Sequence, residues 1–323
     1  MSCKERQYRL LLHILKFCMT TQKLQPEYLK PGDEVAIISP SFFIDEEKIV
    51  EAVTLMDKWG LKVHIGKNAL KRNGTFAGSD EERLSDLQEA TSDPGIKAVI
   101  CSRGGYGVSR IISKVDFSPL KKYPKWYVGF SDITVLHMWL SEVCGVISVH
   151  GEMPLNFNKS RSSGNALTSL QQALFGNLQP CVWEGQFYNS GKVTGEMTGG
   201  NLSLIYSLLG TPAEPQTDGK ILFLEETGEY YYHIDRMLTS LKLAGKLERL
   251  SAMVIGGMND LVDSKIQWSM SIEDTILGII HEYSYPIFFN FPAGHVSDNR
   301  AFYVGKQMRI DVSGNQAILT SVD

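Results

Sequence analysis

The sequence predicts an α/β protein in two parts: an N-terminal open parallel sheet of the flavodoxin-like kind, then a smaller C-terminal α/β domain rich in mixed and antiparallel strands. Two observations carry this. Between residues 33 and 150, five short apolar runs alternate with stretches whose apolar residues recur at helical spacing, and such alternation builds right-handed crossovers and a sheet covered on both faces. Beyond residue 153 the rhythm breaks into shorter strand-like pieces set among glycines and polar turns.

Each element has its own signal. Residues 33–40 read as a buried strand introduced by the turn Lys30-Pro31-Gly32-Asp33. A helix over 45–59 is expected, with Asp45 as N-cap, Ile49, Val53, Leu55 and Met56 on its buried side and Gly60 as its stop. The pattern repeats: strand 61–65, polar loop 73–78, helix 80–91 ended near Pro94-Gly95, strand 96–101, helix 108–115, strand 126–130, helix 131–143 and strand 146–150. Further on, helices are expected over 166–175, 234–243 and 272–283. Strands are expected near 180–183, 220–224, 252–255, 286–291, 308–311 and 316–320. The expected division is a leader over 1–28, a first domain over 29–153, a linker region over 154–190 and a second domain over 191–323.

Composition narrows the function. Of the 323 residues 43% are hydrophobic, enough for a sizeable core, while a net charge of −4 gives no reason to expect nucleic acid or an anionic membrane as partner. The five cysteines are scattered with no C-x-x-C spacing, which points to a reducing compartment and away from a cysteine-based metal site. Residues 10–18 superficially resemble a signal peptide, but His13 and Lys16 interrupt them and no small-x-small cleavage site follows. Translation starting at Met19, or an amphipathic helix packed on the domain, are the two readings of this leader. No run approaches the roughly 18 apolar residues of a membrane span, and a cytoplasmic location is expected.

Chemistry concentrates at Val128-Gly129-Phe130-Ser131-Asp132, where a strand ends and a helical pattern begins. Ser131 has two readings there: an ordinary helix N-cap, or a nucleophile on a tight strand-to-helix turn with helix-start N–H groups near its oxygen. A nucleophile needs a base. Among the histidines, His64 and His150 alternate within strands and His137 and His281 sit in helices, while His233 is ambiguous. His295 differs, because Phe291-Pro292-Ala293-Gly294-His295 ends an aromatic strand in a turn and projects an imidazole with no apolar duty. The acid falls at the end of strand 220–224, on Glu225 or Glu226, which point to opposite faces. The chain order Ser, Glu, His is one that acyl-transfer triads use.

The turn Arg103-Gly104-Gly105-Tyr106-Gly107 follows a strand and opens a helix. It can serve as an oxyanion hole, a glycine N–H pairing with the N–H of Asp132, or as a phosphate cradle. The cradle lacks the third glycine of G-x-G-x-x-G. Arg103 can grip a substrate carboxylate with its planar fork, or form a structural ion pair.

Taken together, Arg103-Gly104-Gly105-Tyr106-Gly107, Gly129-Phe130-Ser131-Asp132-Ile133-Thr134, Gly199-Gly200-Asn201-Leu202-Ser203, Gly210-Thr211-Pro212, Ile221-Leu222-Phe223-Leu224-Glu225-Glu226, Ile234-Asp235-Arg236-Met237-Leu238 and Gly294-His295-Val296-Ser297-Asp298-Asn299 resemble the LD-carboxypeptidases, serine peptidases of the murein-tetrapeptide type. The resemblance runs from about Leu29 to Asp311. It implies a triad of Ser131, His295 and Glu225, and an oxyanion hole from the N–H groups of Gly104 and Asp132. The site would lie between two domains, commonly in a homodimer. Arg103, Gly105 and Asn201 are the candidate substrate contacts. The implied reaction releases terminal D-alanine from a murein tetrapeptide during cell-wall recycling, with no metal or organic cofactor. A sister branch, the microcin-immunity peptidases, cleaves peptidyl-nucleotide antibiotics, and the Arg103-led turn favours the murein branch over it. Ile255-Gly256-Gly257-Met258-Asn259-Asp260 departs from the family pattern, where a G-x-F-like segment is expected. The rival reading from another class is a non-catalytic nucleotide- or small-ligand-binding α/β protein in which Ser131 only caps a helix.

Overall fold

The computed structural model describes residues 23–158, 162–189 and 191–322; the leader's first 22 residues lie outside them. Five strands come first: β1 (Glu34–Ile38), β2 (Lys62–Ile65), β3 (Ile96–Cys101), β4 (Trp126–Gly129) and β5 (Ser148–His150). Then follow β6 (Cys181–Glu184), β7 (Phe187–Tyr188), β8 (Val193–Asn201), β9 (Ile221–Thr227) and β10 (Ala252–Asn259). The last are β11 (Ile287–Phe288), β12 (Phe302–Val304), β13 (Gln307–Ser313) and β14 (Gln316–Ser321).

The first sheet has the order β12-β5-β4-β3-β1-β2. Its five early strands are parallel, and their order β2-β1-β3-β4-β5 is the flavodoxin-like one expected. All four residues of β4 and the last four of β1 are buried, as a sheet covered on both faces requires. The helix Glu46–Lys58 starts at Asp45 with Glu46 and Glu47 in its first turn, and it buries Ile49, Ala52 and Met56. The helix Asp80–Ser92 begins with a reciprocal cap: Glu82 N donates to Ser79 Oγ at 3.3 Å, and Ser79 N donates to Glu82 Oε2 at 2.8 Å.

The second sheet is mixed, in the order β6-β14-β13-β8-β9-β10-β11-β7. Its centre, β8 to β11, is parallel, and antiparallel strands flank it on both sides. The two sheets meet through a cluster of rings. His150 of β5 stacks on Phe302 of β12 at 4.6 Å between centroids, and Phe223 of β9 stands 5.3 Å from His150 and 4.9 Å from Phe302. Beside it, Asn201 N at the end of β8 donates to Thr134 Oγ1 at 3.0 Å.

Several expectations are corrected. The helix expected over 131–143 is three consecutive pieces, 3₁₀ at Ser131–Ile133, α at Thr134–Met138 and π at Trp139–Cys144. The helix expected to reach residue 283 ends at Ile280, and the strand expected over 286–291 pairs only at Ile287–Phe288. The late strand β12 crosses back to lie antiparallel on β5. That pairing cannot be read from spacing, because its partner lies some 150 residues earlier.

Candidate active site

Ser131 stands two residues past the end of β4 with φ 63°, a left-handed conformation. A non-glycine residue held there marks a strained turn, and such strain clusters at functional sites. The cap reading is corrected: Phe130 occupies the cap position in extended geometry, and no side chain makes a capping hydrogen bond. Among the described residues nothing hydrogen-bonds the Ser131 hydroxyl. Gly104 faces it closely enough that an ideal Cβ on that glycine would lie 2.9 Å from Ser131 Oγ and 3.4 Å from Asp132 N. Only a residue without a side chain fits there.

The Asp132 side chain stitches this turn together. Its Oδ2 accepts from Ser41 Oγ at 2.6 Å and from Val108 N at 3.0 Å, so one buried carboxylate holds the loop after β1, the end of the glycine turn and the Ser131 turn. Burial pushes its pKa up, while Ser41 and Val108 favour the charged form. Gly105 has φ 115° and lies against the Phe42 ring. Arg103 donates from Nη1 to Phe43 O at 3.1 Å, with its guanidinium 5.7 Å from the Phe42 ring centroid.

Glu225 comes from the second sheet, and His295 from the loop between β11 and β12. Glu225, on β9, is fully buried, and its Oε2 accepts from His295 Nδ1 at 2.7 Å and from His295 N at 3.2 Å. Because a carboxylate only accepts, Nδ1 carries the hydrogen, and in the neutral ring Nε2 keeps its lone pair. The imidazole lies edge-on to Phe130, the residue before Ser131, with ring centroids 5.1 Å apart. Burial disfavours its protonation, but the hydrogen bond and charge of Glu225, aided by Glu226 and Glu152, outweigh burial and hold the pKa above the ordinary histidine value.

The choice that spacing left open between the two glutamates is thus geometric. Glu226 points the other way, where it accepts from Asn201 Nδ2 at 2.9 Å, Ser203 N at 2.8 Å and Ser203 Oγ at 2.6 Å. Asn201 is 3% exposed, and its amide is committed to Glu226 and to capping Leu204 N. It supports the neighbouring carboxylate.

Sequence reasoning passed over two buried residues beside the histidine. Asn299 Oδ1 accepts from Gly294 N at 2.9 Å and lies 3.0 Å from His150 Nε2, fastening the His295 loop to β5. Glu152, two residues past β5, accepts from Asn156 Nδ2 at 3.0 Å through Oε2, while Oε1 is buried with no hydrogen-bond partner. Burial pushes its pKa up to about 7. Asn299 stood inside a quoted motif, yet nothing in its spacing says where its amide points. Glu152 gave no signal, since a carboxylate after a strand is ordinarily solvated. Among the described residues no three His, Cys, Asp or Glu side chains converge as metal ligands, and no helix is long and apolar enough to cross a membrane.

Comparison with known proteins bears on this arrangement. Residues 35–151 match the LD-carboxypeptidase N-terminal domain and residues 194–310 the LD-carboxypeptidase C-terminal domain. A probable murein peptide carboxypeptidase of Bacillus subtilis is 34% identical over 306 residues, 91% of this chain and 94% of the relative. The crystal structure of muramoyltetrapeptide carboxypeptidase from Oxalobacter formigenes superposes with a TM-score of 0.82 at 29% identity, covering 90% of this chain and 99% of the other. A microcin C7 self-immunity protein superposes as well, with a TM-score of 0.83 over 93% of this chain and 99% of the other. At 20% identity that likeness is one of fold alone.

Proposed function

Because the chain belongs to the LD-carboxypeptidase family and is therefore a serine-type carboxypeptidase hydrolase, we propose that Ser131, His295 and Glu225 are its catalytic triad. We further propose that it releases the terminal D-alanine of a murein tetrapeptide. The observation that carries the reading is the double acceptance at Glu225 Oε2 of the His295 backbone N–H and Nδ1–H. A carboxylate so placed fixes the imidazole tautomer, leaves Nε2 as the base, and steadies the positive charge that forms on the ring.

In this mechanism Ser131 Oγ attacks the carbonyl carbon at the L-centre of meso-diaminopimelate as His295 Nε2 takes the hydroxyl proton. The carbonyl oxygen becomes an oxyanion facing the N–H groups of Gly104 and Asp132. Collapse of the tetrahedral species breaks the bond to D-alanine, whose amine leaves with the proton from His295. Water, deprotonated by the same nitrogen, then frees the acyl group from Ser131. Arg103 is the proposed partner for the terminal carboxylate. We place the reaction in cytoplasmic cell-wall recycling and the enzyme in a homodimer.

The test is D-alanine release from L-Ala-γ-D-Glu-meso-diaminopimelate-D-Ala. Ser131→Ala should fold as the parent does and lose about 10⁴-fold or more in rate. An active Ser131→Ala protein defeats the triad. A folded parent that releases no D-alanine but cleaves a peptidyl-nucleotide moves the substrate to the sister branch.

A further inference from the structure

Gly256-Gly257-Met258-Asn259, the segment that departs from the family pattern, has a defined place in the structure. It is the C-terminal half of β10, next to β9, and the pairing of the two strands slips there. Ile255 sits opposite Leu224 and Met258 opposite Glu226, so Gly256 and Gly257 share the space opposite Glu225 alone. One extra residue in a strand is a bulge, and it reverses the face on which every later side chain points.

The bulge is where the His295 loop lands. Phe291 N donates to Ile255 O at 3.0 Å and Gly257 N to Ala293 O at 3.0 Å. An ideal Cβ on Gly256 would lie 2.5 Å from Ala293 O, and one on Gly257 would lie 2.7 Å from Val296 Cγ1. Side chains at these two positions would therefore lift the loop off the strand. Past the bulge, the re-aimed Asn259 donates from Nδ2 to His295 O at 2.6 Å.

We propose that Asn259 is a positioning residue for His295, its amide fixing the carbonyl of the residue whose imidazole moves the proton. The proposal rests on His295 being the base of the reading above. The peptide of His295 is then held at both ends: Glu225 takes its N–H and Asn259 gives to its C=O, while Asn299 takes the N–H of Gly294. With the main chain pinned on each side of Cα, the side chain has only its own torsions left, and the Nδ1 contact to Glu225 fixes those. Asn259 touches neither the reacting atoms nor Ser131, and it acts through the loop alone.

Loss of the amide lets the loop lift from the bulge, and a displacement of about 1 Å at a proton-transferring group costs about a hundredfold in rate. Asn259→Asp keeps the size but cannot donate to a carbonyl. The expected result is a kcat lower by about a hundredfold with KM within about threefold. In the resting protein, the downfield proton resonance of His295 Nδ1–H should shift or broaden. Asn259→Ser, smaller and uncharged, carries the same test should the aspartate variant not fold. A role confined to stability would lower the melting temperature while leaving kcat and the resonance of the folded variant at parent values. Either an unmoved resonance or a parental kcat overturns the proposal. If the parent itself releases no D-alanine, the proposed function fails, and the resonance alone decides the positioning.

Discussion

Glu152 shows how one side chain can tie stability to the state of the site. Its carboxyl is 1% exposed, with one oxygen unpartnered, and its pKa is pushed from 4.5 up to about 7 by burial. Between those values the native state keeps a proton that the unfolded chain has lost, so stability falls as pH rises from about 4.5 to 7. A shift of that size corresponds to a loss on the order of 3 kcal/mol. His295 contributes with the same sign. Its raised pKa adds stability below the ordinary histidine value that is lost as pH climbs through the folded value. Glu152→Gln removes the Glu152 contribution. Urea midpoints measured across pH should show the fall flattened in the variant, with the two proteins alike near pH 4.5 and the variant more stable at pH 8. An unchanged slope would mean that Glu152 is not the group that titrates.

At the scale of elements, the site depends on two turns in van der Waals contact, the glycine turn after β3 and the Ser131 turn after β4. Asp132 joins them through Val108 N, and Gly104 lets them close to a distance that no side chain permits. Gly104→Ala puts a methyl 2.8 Å from Ser131 Cβ, which forces the turns apart and displaces the proposed oxyanion donors. Loss of one such donor costs about 10²–10³ in kcat. D-alanine release by the folded variant should fall by that order, and a variant at parental rate would remove Gly104 from the oxyanion hole. The sequence made these turns legible because they are local: β3, β4, the glycine run and Ser131 each announce themselves within a few residues. Glu225 and His295 were legible as candidates by type and place, and their contact was implied only by resemblance. What stayed hidden was non-local or irregular. The return of β12 to β5, the bulge opposite Glu225 and the hold of Asn259 on His295 all depend on pairing partners far away in the chain. The break of one helical pattern into 3₁₀, α and π segments leaves periodicity almost unchanged, so residues 131–143 read as a single helix.

At the scale of the molecule, Ser131 follows a strand of the first sheet while Glu225 and His295 come from or beside the second, so their geometry is set by how the sheets dock. Four charges hold one edge of that junction. Glu142, in the π segment packed on the first sheet, faces Lys220 at 3.3 Å and Lys23 at 3.7 Å. Glu196, on β8 of the second sheet, faces Lys23 at 2.6 Å and Lys220 at 2.7 Å. All four side chains are less than a fifth exposed. The two lysines differ. Burial and the neighbouring Lys220 depress the pKa of Lys23, whereas Glu142 and Glu196 outweigh burial and hold Lys220 above its ordinary value. A closed square of alternating charges is tolerable when buried, but an open one is not, because the survivor charges lose their partners without regaining water. Glu196→Gln leaves two ammonium groups sharing one carboxylate. Its expected cost is about 3 kcal/mol at pH 7, read from chemical denaturation. Lys220→Met combined with Glu196→Leu leaves Lys23 paired with Glu142 and should recover most of that loss. If the single variant matches the parent in stability, the square is a solvated surface pair in effect, and the docking of the sheets rests on the ring cluster of His150, Phe223 and Phe302.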